Sequence, residues 1–596
     1  MSLNFLPARF ILVLTASLTI LAVSSQLFSA APLAAQEETP AQTTLVSLER
    51  PFQLPFAEPP GPDTWLPAQP YGNTTGAYRQ RFTTYGASGG IHFGVDLSAP
   101  CGTEAVAMAD GIVFAIDGPF GSPPHNLMID HPQLGYASMY GHLLQAPDLL
   151  PGQVVKQGQV VALTGDTAET CYGRPHLHLE IRDLSHVTKY NPALLINANW
   201  HNLNLIGSTS RDFARNLEAP RQWQSLYDQP EARTGGPIIN DFAYVWPFDW
   251  RKKESTLSLT PLSLVVSASP EAKPANPGPL ATSPVGRQIM GGDCCTQPYW
   301  NKDSNQVRFL DRPDANSPLG IWGVDVSQPE AGPQFITERL GIYSPDNAYM
   351  AYPDQSKGVT VIERLADGQT WEIDTDERSP NFTPDSKSIM WTVFDDDAPS
   401  DSREETIWLA DVDGSNPRIL LKDRRSDPVT WLANDKLLMA RRVPGTSDQT
   451  LFTLSLSDGR QTELLQLPQM RSLALSDNGR YLVYYVSLQR DSSKNGTWLL
   501  DLQSAKPQPK KLPFFGAYRW RDNERLVYVP LDPNAGEHTF FEYNVRTGQS
   551  RPLFPAGTGL TIANNDWRIS PDGTKIALVA ASGLKLDGLW VLDIKD

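Results

Sequence analysis

In the C-terminal half of the chain, apolar residues come in short runs that recur after small polar turns. The turns are Trp300-Asn-Lys-Asp303, Ser344-Pro-Asp-Asn347, Thr383-Pro-Asp-Ser386, Trp431-Leu-Ala-Asn434, Ser476-Asp-Asn-Gly479, Trp520-Arg-Asp-Asn523 and Ser570-Pro-Asp-Gly573. A strand-like run follows each of them, as in Tyr349-Met-Ala-Tyr352, Tyr481-Leu-Val-Tyr484 and Ile576-Ala-Leu578. Several units add a second run with Trp that ends in Asp, such as Ile407-Trp-Leu-Ala-Asp411 and Leu589-Trp-Val-Leu-Asp593. An interval of roughly 40 to 50 residues suits a four-stranded propeller blade. The turns predict seven blades, with six as the alternative. The last blade is expected to borrow a strand from near residues 287–299 to close the ring. Far upstream, His176-Leu-His178-Leu-Glu180-Ile-Arg182 alternates strictly. A period of two puts the four polar residues on one face of a strand and Leu177, Leu179 and Ile181 on the other. Dense short strands and turns fill residues 71–198, so the whole chain reads as mainly all-β.

Length and composition refine this picture. A chain of 596 residues exceeds one ordinary core and predicts two or three domains. Hydrophobic residues at 40% and charged residues at 19% fit a globular protein. The net charge of −16, with no basic cluster, argues against a nucleic-acid partner. Residues 1–35 have the layout of a secretory signal: one positive charge before an apolar run at 10–23, then small residues around Ala35. The expectation is an exported, extracellular or cell-envelope protein, with membrane contact only if that segment stays uncleaved. Residues 36–70 read as an extended leader, 71–198 as a folded domain, 199–265 as an unclassified connection, 266–286 as a Pro/Ala/Ser linker and 287–596 as the propeller. Four cysteines are too few for a disulfide-held scaffold of this size.

Six of the nine histidines fall within residues 91–182. In Ile91-His92-Phe-Gly94-Val-Asp96, a straight strand would hold His92 and Asp96 roughly 13 Å apart, too far to share one metal. Gly94 offers a bend between them. In Pro175-His176-Leu-His178, two imidazoles on one strand face suit a metal ligand beside an acid/base group; a solvated polar face is the alternative. His142, in Met139-Tyr140-Gly-His142-Leu143, is on its own an ordinary structural histidine. His131 reads as structural, and His125, His186, His201 and His538 as surface residues. Glu180 and Arg182 are expected to support the site face without being ligands.

The order and combination of these motifs resembles the lysostaphin/LytM-type zinc metalloendopeptidases over roughly residues 85–185. The connecting segments Ala99-Pro-Cys-Gly-Thr-Glu-Ala-Val106 and Gly152-Gln-Val-Val-Lys-Gln-Gly-Gln-Val160 are also similar to that family. The resemblance implies a small antiparallel β-sheet metallopeptidase domain with one Zn2+ per chain. It implies His92, Asp96 and His178 as metal ligands, His142 and His176 as catalytic histidines, and peptidoglycan cross-links or bridges as substrate. None of the five is missing, unlike in the degenerate members of the family. Cys101 and Cys171 flank the two converging motifs and are expected to be joined, whereas Cys294 and Cys295 could pair or stay free. The C-terminal repeats resemble TolB-like β-propellers, a fold that does not by itself settle a role; with a hydrolase upstream, the propeller is expected to be a positioning or binding module, with a protein or glycan as its partner. Two other functions compete: a non-catalytic envelope factor that uses the zinc domain for recognition, and, for residues 106–165 alone, a biotinyl/lipoyl-type carrier. The carrier reading lacks an acceptor lysine turn and leaves the histidines unexplained.

Overall fold

The computed structural model describes residues 50–167, 170–171, 173–206, 213–217, 219–236, 243–244, 280–292, 294–338, 340–354, 357–376, 378–394 and 404–595. The signal segment, most of the linker, and Trp246 and Trp250 therefore lie outside the described residues. Among the described residues no helix is long and apolar enough to cross a membrane.

The N-terminal domain is built on strands β1 (Leu66–Pro67), β2 (Val95–Ser98), β3 (Glu104–Val106), β4 (Gly111–Ile116), β5 (Leu127–His131), β6 (Tyr136–Gly141), β7 (Val154–Val155), β8 (Val160–Leu163), β9 (His176–Asp183) and β10 (Thr188–Tyr190). Its main sheet runs β1-β2-β9-β6-β5-β4-β7, with β10 on β9, and β3 pairs with β8. The alternation read in the sequence sets the layers. Leu177, Leu179 and Ile181 point into the core with Leu97, Tyr140 and Trp200. Each such aliphatic side chain contributes roughly 1.5–3 kcal/mol by leaving water. The opposite face of β9 carries the histidines. Residues 50–70 do more than lead into the sheet: they are extended, but Phe52, Phe56 and Trp65 are buried in the same core and Leu66–Pro67 pairs with β2.

The C-terminal part is a seven-bladed propeller. Six four-stranded blades occupy residues 299–337, 342–373, 381–424, 426–467, 471–511 and 516–552. The seventh combines Ile562–Ile569, Lys575–Ser582 and Lys585–Asp593 with Gly286–Met290. The ring is thus closed by the upstream strand that the sequence called for.

The polar turns recur because each is a small hydrogen-bonded unit. In the seventh blade the Ser570 hydroxyl donates to Asp572 and accepts from the Lys575 N–H, and Asp572 also accepts from the Thr574 N–H. Ser344 and Asp346 repeat the arrangement. The fourth turn residue is left-handed in Asn347, Ser386, Gly479 and Gly573, with φ between 57° and 70°. That conformation favours Gly, Asn and small polar residues. The turns also bond to one another. The Asp346 N–H donates to Ser386 Oγ, Asn478 N–H to Asn523 Oδ1, and Asp572 N–H to Ser304 Oγ across the closure.

The described residues of 199–236 are mortar between sheet domain and propeller. Asn202 donates to the carbonyls of Pro533 and Ala535, Arg215 to Thr296, and Arg221 pairs with Asp311 through both carboxylate oxygens. Here two histidines expected at the surface are buried: His201 and His538 are each 3% exposed. The His538 Nε2–H donates to Asn202 Oδ1, and its Nδ1 accepts from the Ile562 N–H. Neither histidine sits in a motif, so the interface was not readable from sequence. Burial, and then the charge of His201, lowers the His538 pKa to about 3. Burial likewise lowers His201 to about 4. Both imidazoles are therefore neutral in the fold but take up protons in the unfolded chain below about pH 6.5. Stability should fall as pH drops from there towards 4, at up to about 1.4 kcal/mol per pH unit for each histidine. Denaturant midpoints at pH 7, 6 and 5 measure this, and a His538→Gln chain should show a shallower slope. Equal slopes would refute the assignment.

Candidate metal centre

Strand register brings the predicted residues together. Asp96 on β2 and Gly141 on β6 both lie opposite His178 on β9, while Ser98 lies opposite His176. His142 follows Gly141 directly, so it emerges beside the same histidine. His92 precedes β2 on a segment that bends at Gly94 and is bonded through its backbone to Gly72. Gly94 also supplies space. A Cβ there would meet the Leu179 carbonyl at 2.5 Å and the His178 ring at 2.9 Å. The expected bend is present, and close approach is a second reason for glycine.

Three donor atoms converge. His92 Nε2 lies 3.1 Å from His178 Nδ1 and 3.2 Å from Asp96 Oδ1, and His178 Nδ1 lies 2.8 Å from the same carboxylate oxygen. Bonds of about 2.0–2.1 Å to a tetrahedral zinc would place ligand atoms about 3.3 Å apart, so the set fits such an ion and leaves a fourth position for water. Each imidazole is oriented from behind. His92 Nδ1–H donates to the Pro70 carbonyl, fixing Nε2 as the inward atom. His178 Nε2–H donates to Glu180 Oε1, and Glu180 Oε2 in turn accepts from Arg182 Nε. Such outer partners set the tautomer and orientation of a metal ligand.

The electrostatics also call for a cation. Burial alone would lower the His178 pKa, but bonds to Asp96 and Glu180 outweigh it and raise the pKa to about 9. Burial pushes Asp96 up, yet His92 and His178 hold it well below the usual carboxylate range. Without a metal, a proton on His178 therefore answers the two carboxylates.

His142 and His176 complete the cluster, with ring centroids 4.9 Å apart. His142 Nδ1–H donates to the Pro123 carbonyl at 2.5 Å, and His176 Nδ1–H to the Arg174 carbonyl at 2.8 Å. In each ring Nε2 is the atom left for substrate; that of His176 lies 4.0 Å from Asp96 Oδ2. Burial, reinforced by His178, lowers the His142 pKa to about 4. His142 has φ 56°, a left-handed backbone that costs a non-glycine residue about 1 kcal/mol or more and is found at functional sites. Its backbone is pinned on both sides, by its N–H to the Ser122 carbonyl and by the Gly165 N–H to its own carbonyl.

Residues 90–192 match the profile of Peptidase family M23. This part of the chain is an M23 peptidase domain. A stretch of 89 residues is 37% identical to an "Uncharacterized metalloprotease" of Haemophilus influenzae, covering 15% of this chain and 18% of that protein. The chain thus spans less than a fifth of that relative's length. Among solved structures, a zinc-containing peptidase from Vibrio cholerae is 26% identical over 23% of this chain and 37% of that one, with a TM-score of 0.18. A putative TolB from Agrobacterium tumefaciens is 16% identical over 44% of this chain and 93% of that one, with a TM-score of 0.26. An oligogalacturonate lyase in complex with manganese is 12% identical over 53% of this chain and 95% of that one, with a TM-score of 0.39.

A disulfide joins Cys101 to Cys171, with Cα atoms 5.6 Å apart, and ties the loops after β2 and before β9. Cys294 and Cys295 are joined to each other. With Asp311 they form a second cluster of donor types, but Asp311 is held by Arg221 and disulfide sulfurs are poor ligands. The sequence did not reveal the extent of the M23 cleft. A cavity of about 1400 Å³ contains His92, His142, His176 and His178, and propeller residues form part of its wall.

Proposed function

We propose that this protein is an exported zinc endopeptidase that hydrolyses peptide bonds in peptidoglycan cross-links or bridges. The observation that carries the reading is the three-donor cluster of His92, Asp96 and His178, with two further imidazoles beside it whose Nδ1 atoms are already committed. Bound zinc would supply a water of lowered pKa and a Lewis acid for the scissile carbonyl. His92 Nε2, Asp96 Oδ1 and His178 Nδ1 are the atoms that would hold it. His142, neutral at pH 7 with its proton on Nδ1, offers Nε2 to accept a proton and, once protonated there, to donate to a polarised oxygen or leaving group; His176 offers the matching atom from the other side of the cluster. Their backbone-anchored Nδ1–H groups keep both rings in one tautomer. The propeller would position the domain on its substrate, with a protein or glycan partner as its further ligand.

The experiment is digestion of defined cross-linked muropeptides with and without a chelator, read by mass spectrometry. New peptide termini should appear with metal, vanish with chelator and return with added Zn2+. Cleavage that persists in excess chelator, or its absence from zinc-loaded protein, would sink the proposal.

A further inference from the structure

We infer that the propeller supplies part of the substrate-binding site, with Arg471 and Arg490 of the fifth blade binding carboxylates of a peptide laid across the metal cluster. The inference rests on the peptidase reading and deepens it by naming the substrate's charge.

The cleft that holds the five site residues is continuous with propeller loops. Gln469 and Arg471 line it from the start of the fifth blade, and Ser487, Gln489, Arg490 and Lys494 from the loop after that blade's second strand. This loop is held in place by the chain that leads into the sheet domain. The Leu488 N–H donates to the Pro62 carbonyl at 2.6 Å, and Asn495 Nδ2 donates to Asp63 Oδ1 at 2.7 Å. A wall fixed in advance loses little entropy when a ligand docks.

Its charge runs against that of the chain. The protein carries a net charge of −16, yet this wall presents two arginines and a lysine against one carboxylate, Asp491. No carboxylate pairs with Arg471 or Arg490 among the described residues, and the polar neighbour of Arg471 is the Tyr485 hydroxyl. The acidic groups nearby are engaged. Asp491 accepts from the N–H and hydroxyl of Ser493, and Glu180 is taken by His178 and Arg182. Arg174, on the sheet side, has Asp427 as an acidic neighbour. One more group is unfulfilled: Ser487 is 4% exposed, lines the cleft, and its Oγ has no hydrogen-bond partner among the described residues. A buried hydroxyl without a partner is costly, and a ligand oxygen or amide would satisfy it. Guanidinium groups that no carboxylate occupies, in a cleft that ends at a peptidase centre, suit a peptide rich in free carboxylates.

The test uses zinc-loaded full-length protein and one synthetic cross-linked peptide dimer in two forms, with free carboxylates and with those carboxylates amidated. Wild type should favour the free acid through KM. Arg471→Ala/Arg490→Ala should raise KM for the free acid about tenfold or more, with kcat within about twofold and the amidated dimer unaffected. The lysine pair, R471K/R490K, should recover much of the loss. Arg490→Ala alone, at an exposed position, should show a smaller change in the same sense and guards against misfolding. Equal KM values for both dimers in wild type, or equal changes for both in the double variant, would overturn the inference while leaving the peptidase reading intact. If wild type cleaves neither dimer, fluorescence anisotropy of the labelled dimers decides. Charge-selective binding lost in the double variant keeps this inference and removes the peptidase reading; charge-blind binding removes both.

Discussion

A His178→Ala chain is expected to lose bound zinc and peptide hydrolysis together, whereas His142→Ala should keep its zinc and lose only turnover. His178 Nδ1 contacts both of the other donors, at 2.8 and 3.1 Å, so its removal leaves His92 and Asp96 as a two-point site. It also strands Glu180, whose partner on that side is the His178 Nε2–H. His142 makes no bond to the donors; its Nδ1 is spent on the Pro123 carbonyl. If Nε2 handles the proton as proposed, losing it should lower kcat by about 10²–10⁴. Zinc content per chain and kcat on one cross-linked substrate are the two readouts. Full turnover in His142→Ala would refute the division of roles, as would a zinc content unchanged in His178→Ala.

The second large effect concerns Arg182. Arg182 is 3% exposed, and its guanidinium donates to Glu180 Oε2 at 2.7 Å and to the Phe120 carbonyl at 2.8 Å. Burial pushes the Glu180 carboxyl up, but His178 and Arg182 more than compensate and hold it ionised. Arg182→Ala leaves that buried charge half answered and should cost about 3–5 kcal/mol in metal-free protein. Replacing the pair, as in Arg182→Met with Glu180→Leu, removes both charges and should restore most of the stability. It should not restore the metal. His178 would still lack the acceptor that orients it, and zinc affinity should stay about 10–100-fold below wild type. Denaturant unfolding of the metal-free chain and zinc competition titration separate the two effects. A double variant with wild-type zinc affinity would show that the Glu180–Arg182 pair only packs.

Much of this centre was legible because the chemistry lies in local patterns. The alternation of residues 176–182 set the face of β9, and the spacing across Gly94 marked a bend. Register then does what spacing cannot, since only pairing with β2 and β6 places Asp96 and Gly141 opposite His178. The blades were legible for a similar reason: each turn is stabilised within a few residues, by side-chain bonds such as Ser570 to Asp572. What could not be read depends on contacts between distant segments. Phe52 and Trp65 look like scattered apolar residues until the sheet core receives them. His201 and His538 have no pattern of their own and acquire meaning only where Asn202 meets the propeller. The arginines of the cleft wall belong to the same class, because nothing local links residue 471 or 490 to the sheet domain.

The closure of the ring also sets an order of events. Gly286–Met290 has its partner in Lys585–Asp593, about 300 residues later in the chain. At roughly 5–20 residues per second, synthesis delays that partner by some 15–60 s. For that interval the first blade strand has an open edge, which is a template for pairing with other chains. The circle therefore cannot be completed until Lys585–Asp593 has been made, and over that interval the Gly286–Met290 edge stays open to other partners.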